Sequence, residues 1–109
     1  MNKIYLLFIT SLLLSACSKS ESETCLTYMR NHFRDQLKCN SPHMYTNLYR
    51  GVYKGQTVYF VDIVCPACLT MPPQRGYTCE MKEVNFTNFA EEVNDVKEVY
   101  NSCTRSYSE

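Results

Sequence analysis

The stretch Leu48-Tyr49-Arg50-Gly51-Val52-Tyr53-Lys54-Gly55-Gln56-Thr57-Val58-Tyr59-Phe60-Val61-Asp62-Ile63-Val64 decides the fold. Two runs rich in Val and Tyr, 48–53 and 56–64, flank Lys54-Gly55. A two-residue connection whose Gly supplies positive φ, set between β-branched and aromatic runs, predicts a β-hairpin. Upstream, Leu26, Met29, Phe33 and Leu37 recur at spacings of three, four and four. That puts them on one stripe of a helix capped by Thr24 and running from Cys25 to Lys38. Asn40-Ser41-Pro42 then ends the helix, because the residue before a proline avoids the α region. Downstream, Leu69 to Arg75 reads as a loop with Pro72 and Pro73, and Tyr77 to Lys82 as a third strand in which Tyr77, Cys79 and Met81 alternate. Asn88 followed by Glu91 predicts a capped helix start. From there Phe89, Val93, Val96, Tyr100 and Cys103 recur at helical spacing, with Glu91, Glu92, Asp95 and Glu98 outside. The expected fold is α+β, helix – β-hairpin – strand – helix (α-β-β-β-α), in one domain over 24–103 with a tail at 104–109.

Composition sets the means of stabilisation. The chain has 109 residues, with 11 basic and 11 acidic ones. Residues 1–16 hold one charge, Lys3, so the remaining 93 carry a net charge of 10 minus 11, or −1. That balance argues against a polyanion-binding surface, and nucleic acid is not an expected partner. Arg50 and Lys54 lie among Tyr49, Tyr53 and Tyr59, which are read as covering one face of the sheet rather than stacking on bases. Leu, Ile, Val and Phe number only 17 of those 93 residues. This is below the share that usually accompanies a self-sufficient core, so covalent staples are expected.

There are seven cysteines. Setting Cys17 aside leaves Cys25, Cys39, Cys65, Cys68, Cys79 and Cys103, an even set suited to an oxidising compartment. Cys25 and Cys39 flank the first helix, which would hold their Cα atoms about 21 Å apart. A disulfide needs less than about 7 Å, so these two are not expected to pair. An antiparallel third strand would return Cys79 beside the Cys65/Cys68 corner, closing a loop of 11 to 14 residues. The C-terminal ends of the two helices would then share Cys39–Cys103, and Cys25 would take the remaining corner cysteine.

The N-terminus is a sorting signal. Met1-Asn2-Lys3 is a short positive start, and Ile4 to Leu14 is apolar except for Thr10 and Ser11. Eleven helical residues span about 16 Å, half of a ~30 Å hydrocarbon core, so the run is a signal-peptide core rather than a spanning helix. Leu14-Ser15-Ala16-Cys17 follows and resembles the lipobox of bacterial lipoproteins. The resemblance implies a diacylglycerol thioether on Cys17 and cleavage between Ala16 and Cys17. Ser18 rather than Asp follows the lipidated position, which points to the outer membrane, facing the periplasm. Residues 17–23 contain no further apolar residue and read as a flexible tether.

Candidate chemistry centres on Cys65-Pro66-Ala67-Cys68. A strand leading into Cys-x-x-Cys looks like a thioredoxin active site, where a helix N-terminus activates the first thiol. Here Leu69-Thr70-Met71-Pro72-Pro73 follows, which is not helical, and no βαβ unit precedes it. Structural bridging is the preferred reading, with a thiol–disulfide oxidoreductase using Cys65 and Cys68 as the alternative. A Cys₄ zinc site from Cys65, Cys68, Cys79 and either Cys39 or Cys103 is a third reading, disfavoured because a second Cys-x-x-Cys is missing. His32 and His43 read as surface residues, and no cofactor, metal or catalytic residue is expected. Residues 53–61 followed by Cys65 and Cys68 are also similar to small cysteine-containing bacterial lipoprotein domains of unknown function. That likeness implies an envelope location and a helix–hairpin fold. The expected function is a non-enzymatic binding module held to the membrane by lipid, its partner another envelope protein, an invading enzyme or toxin (as for an inhibitor or immunity protein), or a small ligand. Cys17→Ala is predicted to abolish labelling with radioactive palmitate and to leave the chain uncleaved. Continued labelling of that variant would remove the lipid anchor.

Overall fold

The computed structural model describes residues 21–108. The expected signal segment, the expected cleavage and lipidation at Ala16/Cys17, and the expected tether up to Ser20 lie outside the described residues. The hairpin forms as the sequence predicts. β2 (Met44–Tyr53) pairs antiparallel with β3 (Gln56–Val64), in register from Tyr45 opposite Val64 to Tyr53 opposite Gln56. Both turn residues adopt left-handed φ, 48° at Lys54 and 77° at Gly55. This is the turn whose twist matches that of the strands it joins.

Around this hairpin the chain builds a seven-stranded antiparallel sheet with two helices, an α+β arrangement. Besides β2 and β3 the strands are β1 (Cys39–Ser41), β4 (Arg75–Tyr77), β5 (Glu83–Asn85), β6 (Val93–Asn101) and β7 (Ser106–Tyr107). Their order is β5-β4-β3-β2-β6-β7, with β1 also paired to β2. Helix α1 (Glu21–His32) starts before the expected cap at Thr24 and ends before Lys38. The chain then makes a further turn in which Gln36 and Leu37 donate backbone N–H groups to the Phe33 carbonyl. The expected stripe is nonetheless the buried face, with Leu26, Met29 and Phe33 in the core and Leu37 packed against it. Cys39 therefore lies in strand β1, not at a helix end.

The main correction is at the C-terminus. Only Phe89–Glu92 are helical (α2), and the rest of the expected second helix is strand β6. β6 pairs with β2 through two bulges. Tyr100 lies opposite Leu48 and Glu98 opposite Tyr49, which leaves Val99 as an extra residue. Lys97 lies opposite Arg50 and Asn94 opposite Val52, so Asp95 and Val96 together face Gly51, with Asp95 at φ 53°. Each bulge resets the two-residue alternation. Apolar residues spaced at three and four are thereby divided between the two sheet faces, a spacing that reads as helical. Val96 is consequently solvent-exposed.

The expected third strand is also divided. β4 ends at Tyr77, a turn follows in which Met81 donates to the Thr78 carbonyl, and the chain returns as β5. The presumed tail contains β7, paired to the end of β6. Ordered elements thus extend beyond both Thr24 and Cys103, with α1 beginning at Glu21 and β7 ending at Tyr107. The tyrosines do not share one face, because alternation along β3 sends Tyr59 and Val61 toward α1 and Val58 and Phe60 the other way. Tyr53, Phe86, Val93 and Phe89 join the latter cluster.

Three disulfides close the structure: Cys25–Cys79, Cys39–Cys103 and Cys65–Cys68, with Cα separations of 5.5, 4.9 and 5.3 Å. The Cys39–Cys103 clamp forms as expected, although it joins β1 to the turn after β6 rather than two helices. The expected bridge from the corner to Cys79 does not form. The β4–β5 turn carries Cys79 toward α1, where Cys25 lies buried. The two long bridges span 54 and 64 residues, each contributing about 4 kcal/mol in the chain-entropy estimate.

Gly76 sits in β4 against Phe86. A Cβ there would lie 2.9 Å from the Tyr59 carbonyl oxygen and 2.9 Å from the Phe86 ring. The carbonyl belongs to the central strand β3 and cannot rotate away. Gly76→Ala is predicted to destabilise the fold by about 1–3 kcal/mol, seen as a lower urea midpoint with an unchanged slope.

Candidate functional site around the Cys65–Cys68 corner

β3 delivers Cys65 to the margin of the sheet, half-buried, and the turn places Cys68 in solvent. The Cys68 N–H donates to the Cys65 carbonyl at 3.0 Å, closing the turn that the disulfide also closes. No helix begins at this corner, so the dipole that activates a thiol at a helix N-terminus is absent here. Residues 63–74 carry no charged side chain. Leu69 is fully exposed, and Met71 is 71% exposed.

The continuation of this segment walls two clefts. One, of about 480 Å³, lies between Met71–Arg75 and Asn85–Phe89. Its apolar side rests on the edge-to-face contacts among Phe60, Phe86 and Phe89, whose ring centroids are 5.0 to 6.1 Å apart. The Phe86 N–H donates to the Gln74 carbonyl at 2.8 Å and fixes the wall. At the rim Glu92 Oε1 accepts from the backbone N–H groups of Thr87 and Asn88, at 2.7 and 3.1 Å. This is the role the sequence pattern assigns to Glu91. The second cleft, about 320 Å³, lies across the same Pro73–Arg75 segment, against Phe33 and Tyr77. The His32 ring packs edge-on to Phe33 and Tyr77, with centroids 4.8 and 4.6 Å away. His43 is exposed near β1.

A polar cluster lies on the other flank of the hairpin. Asn47 is fully buried; its Nδ2 donates to Glu98 Oε1 at 2.6 Å, and its Oδ1 accepts from the Ser102 N–H at 2.9 Å. Asn101 Oδ1 accepts from the N–H groups of Cys103 and Thr104 and shapes the turn that carries the clamp. Burial, then the charges of Glu98 and Asp62, push the Tyr49 hydroxyl above its ordinary range, against an opposing hydrogen bond from Asn47. Burial likewise raises the Asp62 carboxyl, partly offset by the Ile63 N–H donated to its Oδ1 at 2.9 Å.

The structure thus keeps Cys65 and Cys68 together and sends Cys79 to Cys25, so the four sulfurs of the zinc reading do not converge. The sequence reading missed Asn47, Glu98 and the Arg75–Phe86 cleft. Asn47 directly precedes the expected strand start at Leu48 and carries no local signal, and the cleft depends on the division between β4 and β5. The chain matches no protein-family model, no curated protein and no solved structure.

Because the folded state holds the Asp62 proton more tightly than the unfolded state, ionisation above the ordinary value of 3.8 costs stability. That cost grows as pH rises from the unfolded value through the folded one. Asp62→Asn keeps an acceptor for Ile63 and is predicted to melt above the parent protein at pH 7 and together with it at pH 3. A variant melting lower at pH 7 would show that the carboxylate contributes stability instead.

Proposed function

We propose that the chain is a non-enzymatic binding module of the bacterial envelope, anchored in the outer membrane by a lipid on Cys17 and facing the periplasm. The observation that carries the binding role is the uncharged segment 63–74, with Leu69 and Met71 standing in solvent beside the 480 Å³ cleft. Apolar residues exposed next to a concave, aromatic-floored surface are a common feature of protein interaction sites. A periplasmic protein partner fits the near-neutral surface better than a polyanion does. The lipid reading rests on the lipobox and its charged, apolar lead. Since α1 begins four residues after Cys17, the tether would hold the domain within about 14 Å of the anchor.

A second reading is thiol–disulfide exchange at Cys65 and Cys68. The local pairing of these two favours it, because every other bridge joins distant elements.

A photo-crosslinking amino acid placed at Leu69 in living cells is predicted to give one discrete protein adduct. The same group at exposed Arg105, on the β6–β7 turn, should give none. No adduct from position 69, or the same adduct from both, would take the binding role away from the segment.

A further inference from the structure

We propose that the Cys65–Cys68 disulfide is an exchange site for a dithiol protein of the envelope, and that Cys68 Sγ is the sulfur attacked. This rests on the second reading above. Thiol–disulfide exchange needs an unobstructed approach to one sulfur. Cys68 is exposed, while Cys65 is half-buried at the end of β3. The two residues therefore differ in exposure, and Cys68 is the one that directly precedes Leu69, two residues before Met71. These exposed side chains, with no charge between Asp62 and Arg75, fit a partner whose reactive cysteine lies on an apolar, uncharged surface.

The step balances as follows. A partner thiolate attacks Cys68 Sγ, and a mixed disulfide forms as the Cys65–Cys68 bond breaks. Cys65 leaves as a thiolate and takes a proton from water. The partner's second thiolate, its proton lost to water, attacks the partner's own sulfur in the mixed disulfide and releases Cys68, which is protonated in turn. This chain gains two electrons and two protons, and the partner's dithiol becomes a disulfide.

Opening this bond leaves the fold in place, because it closes a turn of separation 3 that the Cys68 N–H also closes. Cys39 and Cys103 are also exposed. Lys38 directly precedes Cys39, however, and Arg105 lies two residues after Cys103, so that bond lacks the uncharged apolar flank of Cys68.

The test treats the oxidised full-length protein with dithiothreitol without denaturant, quenches with iodoacetamide, and maps the alkylated residues. Cys65 and Cys68 should be alkylated first, with Cys25–Cys79 and Cys39–Cys103 intact and the melting temperature nearly unchanged. If Cys39–Cys103 opens first, or Cys65–Cys68 opens only on unfolding, exchange at this corner is overturned altogether. The second arm compares Cys65→Ser with Cys68→Ser, each reacted with glutathione disulfide. The thiol left at Cys68 should form its mixed disulfide several-fold faster than the thiol left at Cys65. Equal rates, or the reverse order, would overturn the choice of Cys68 while leaving exchange at the corner standing.

Discussion

The buried carboxamide of Asn47 is the interaction on which the sheet depends. Strand β2 has β1, β3 and β6 as partners, and two-residue turns join it to β1 and to β3 but not to β6. β6 arrives from about fifty residues away, and beyond its backbone pairing with β2 its register is set by side chains. Asn47 does this from within β2, donating to Glu98 and accepting from Ser102, 51 and 55 residues distant. A buried amide left without partners costs about 1–3 kcal/mol, so the network both selects the bulged register and penalises others. Beside it, Asn101 shapes the turn that brings Cys103 to Cys39. The clamp thus locks covalently what the amide first aligns.

The disulfides then divide by role. Cys39–Cys103 and Cys25–Cys79 join elements distant in sequence and compensate for a small apolar core. One ties β1 to the β6–β7 turn on the same edge of β2, and the other joins α1 to the β4–β5 turn. Cys65–Cys68 closes only its own turn, at the start of a segment that bears no charge and forms the wall of two clefts.

Much of this was legible in the residues. Lys54-Gly55 between Val- and Tyr-rich runs signalled the hairpin, and Leu26, Met29 and Phe33 signalled the face of α1. The separation of Cys25 from Cys39 by a helix excluded their pairing, which the structure bears out. The misreading of 93–101 has a specific cause. Two bulges, one with Asp95 in left-handed φ and one at Val99, convert a strand's alternation into spacings of three and four. Division of the Tyr77–Lys82 run by a turn had a similar effect, carrying Cys79 away from the corner. Neither bulges nor long-range amide partners leave a local signature, because they are set by the strand across the sheet.

The most direct test of this division is peptide mapping of the oxidised protein under non-reducing conditions by mass spectrometry. The account predicts a Cys25 peptide linked to a Cys79 peptide and a Cys39 peptide linked to a Cys103 peptide. The peptide holding Cys65 and Cys68 should be two hydrogens lighter than its reduced form and joined to nothing else. A peptide containing Cys65 or Cys68 joined to Cys79 or Cys25 would contradict it.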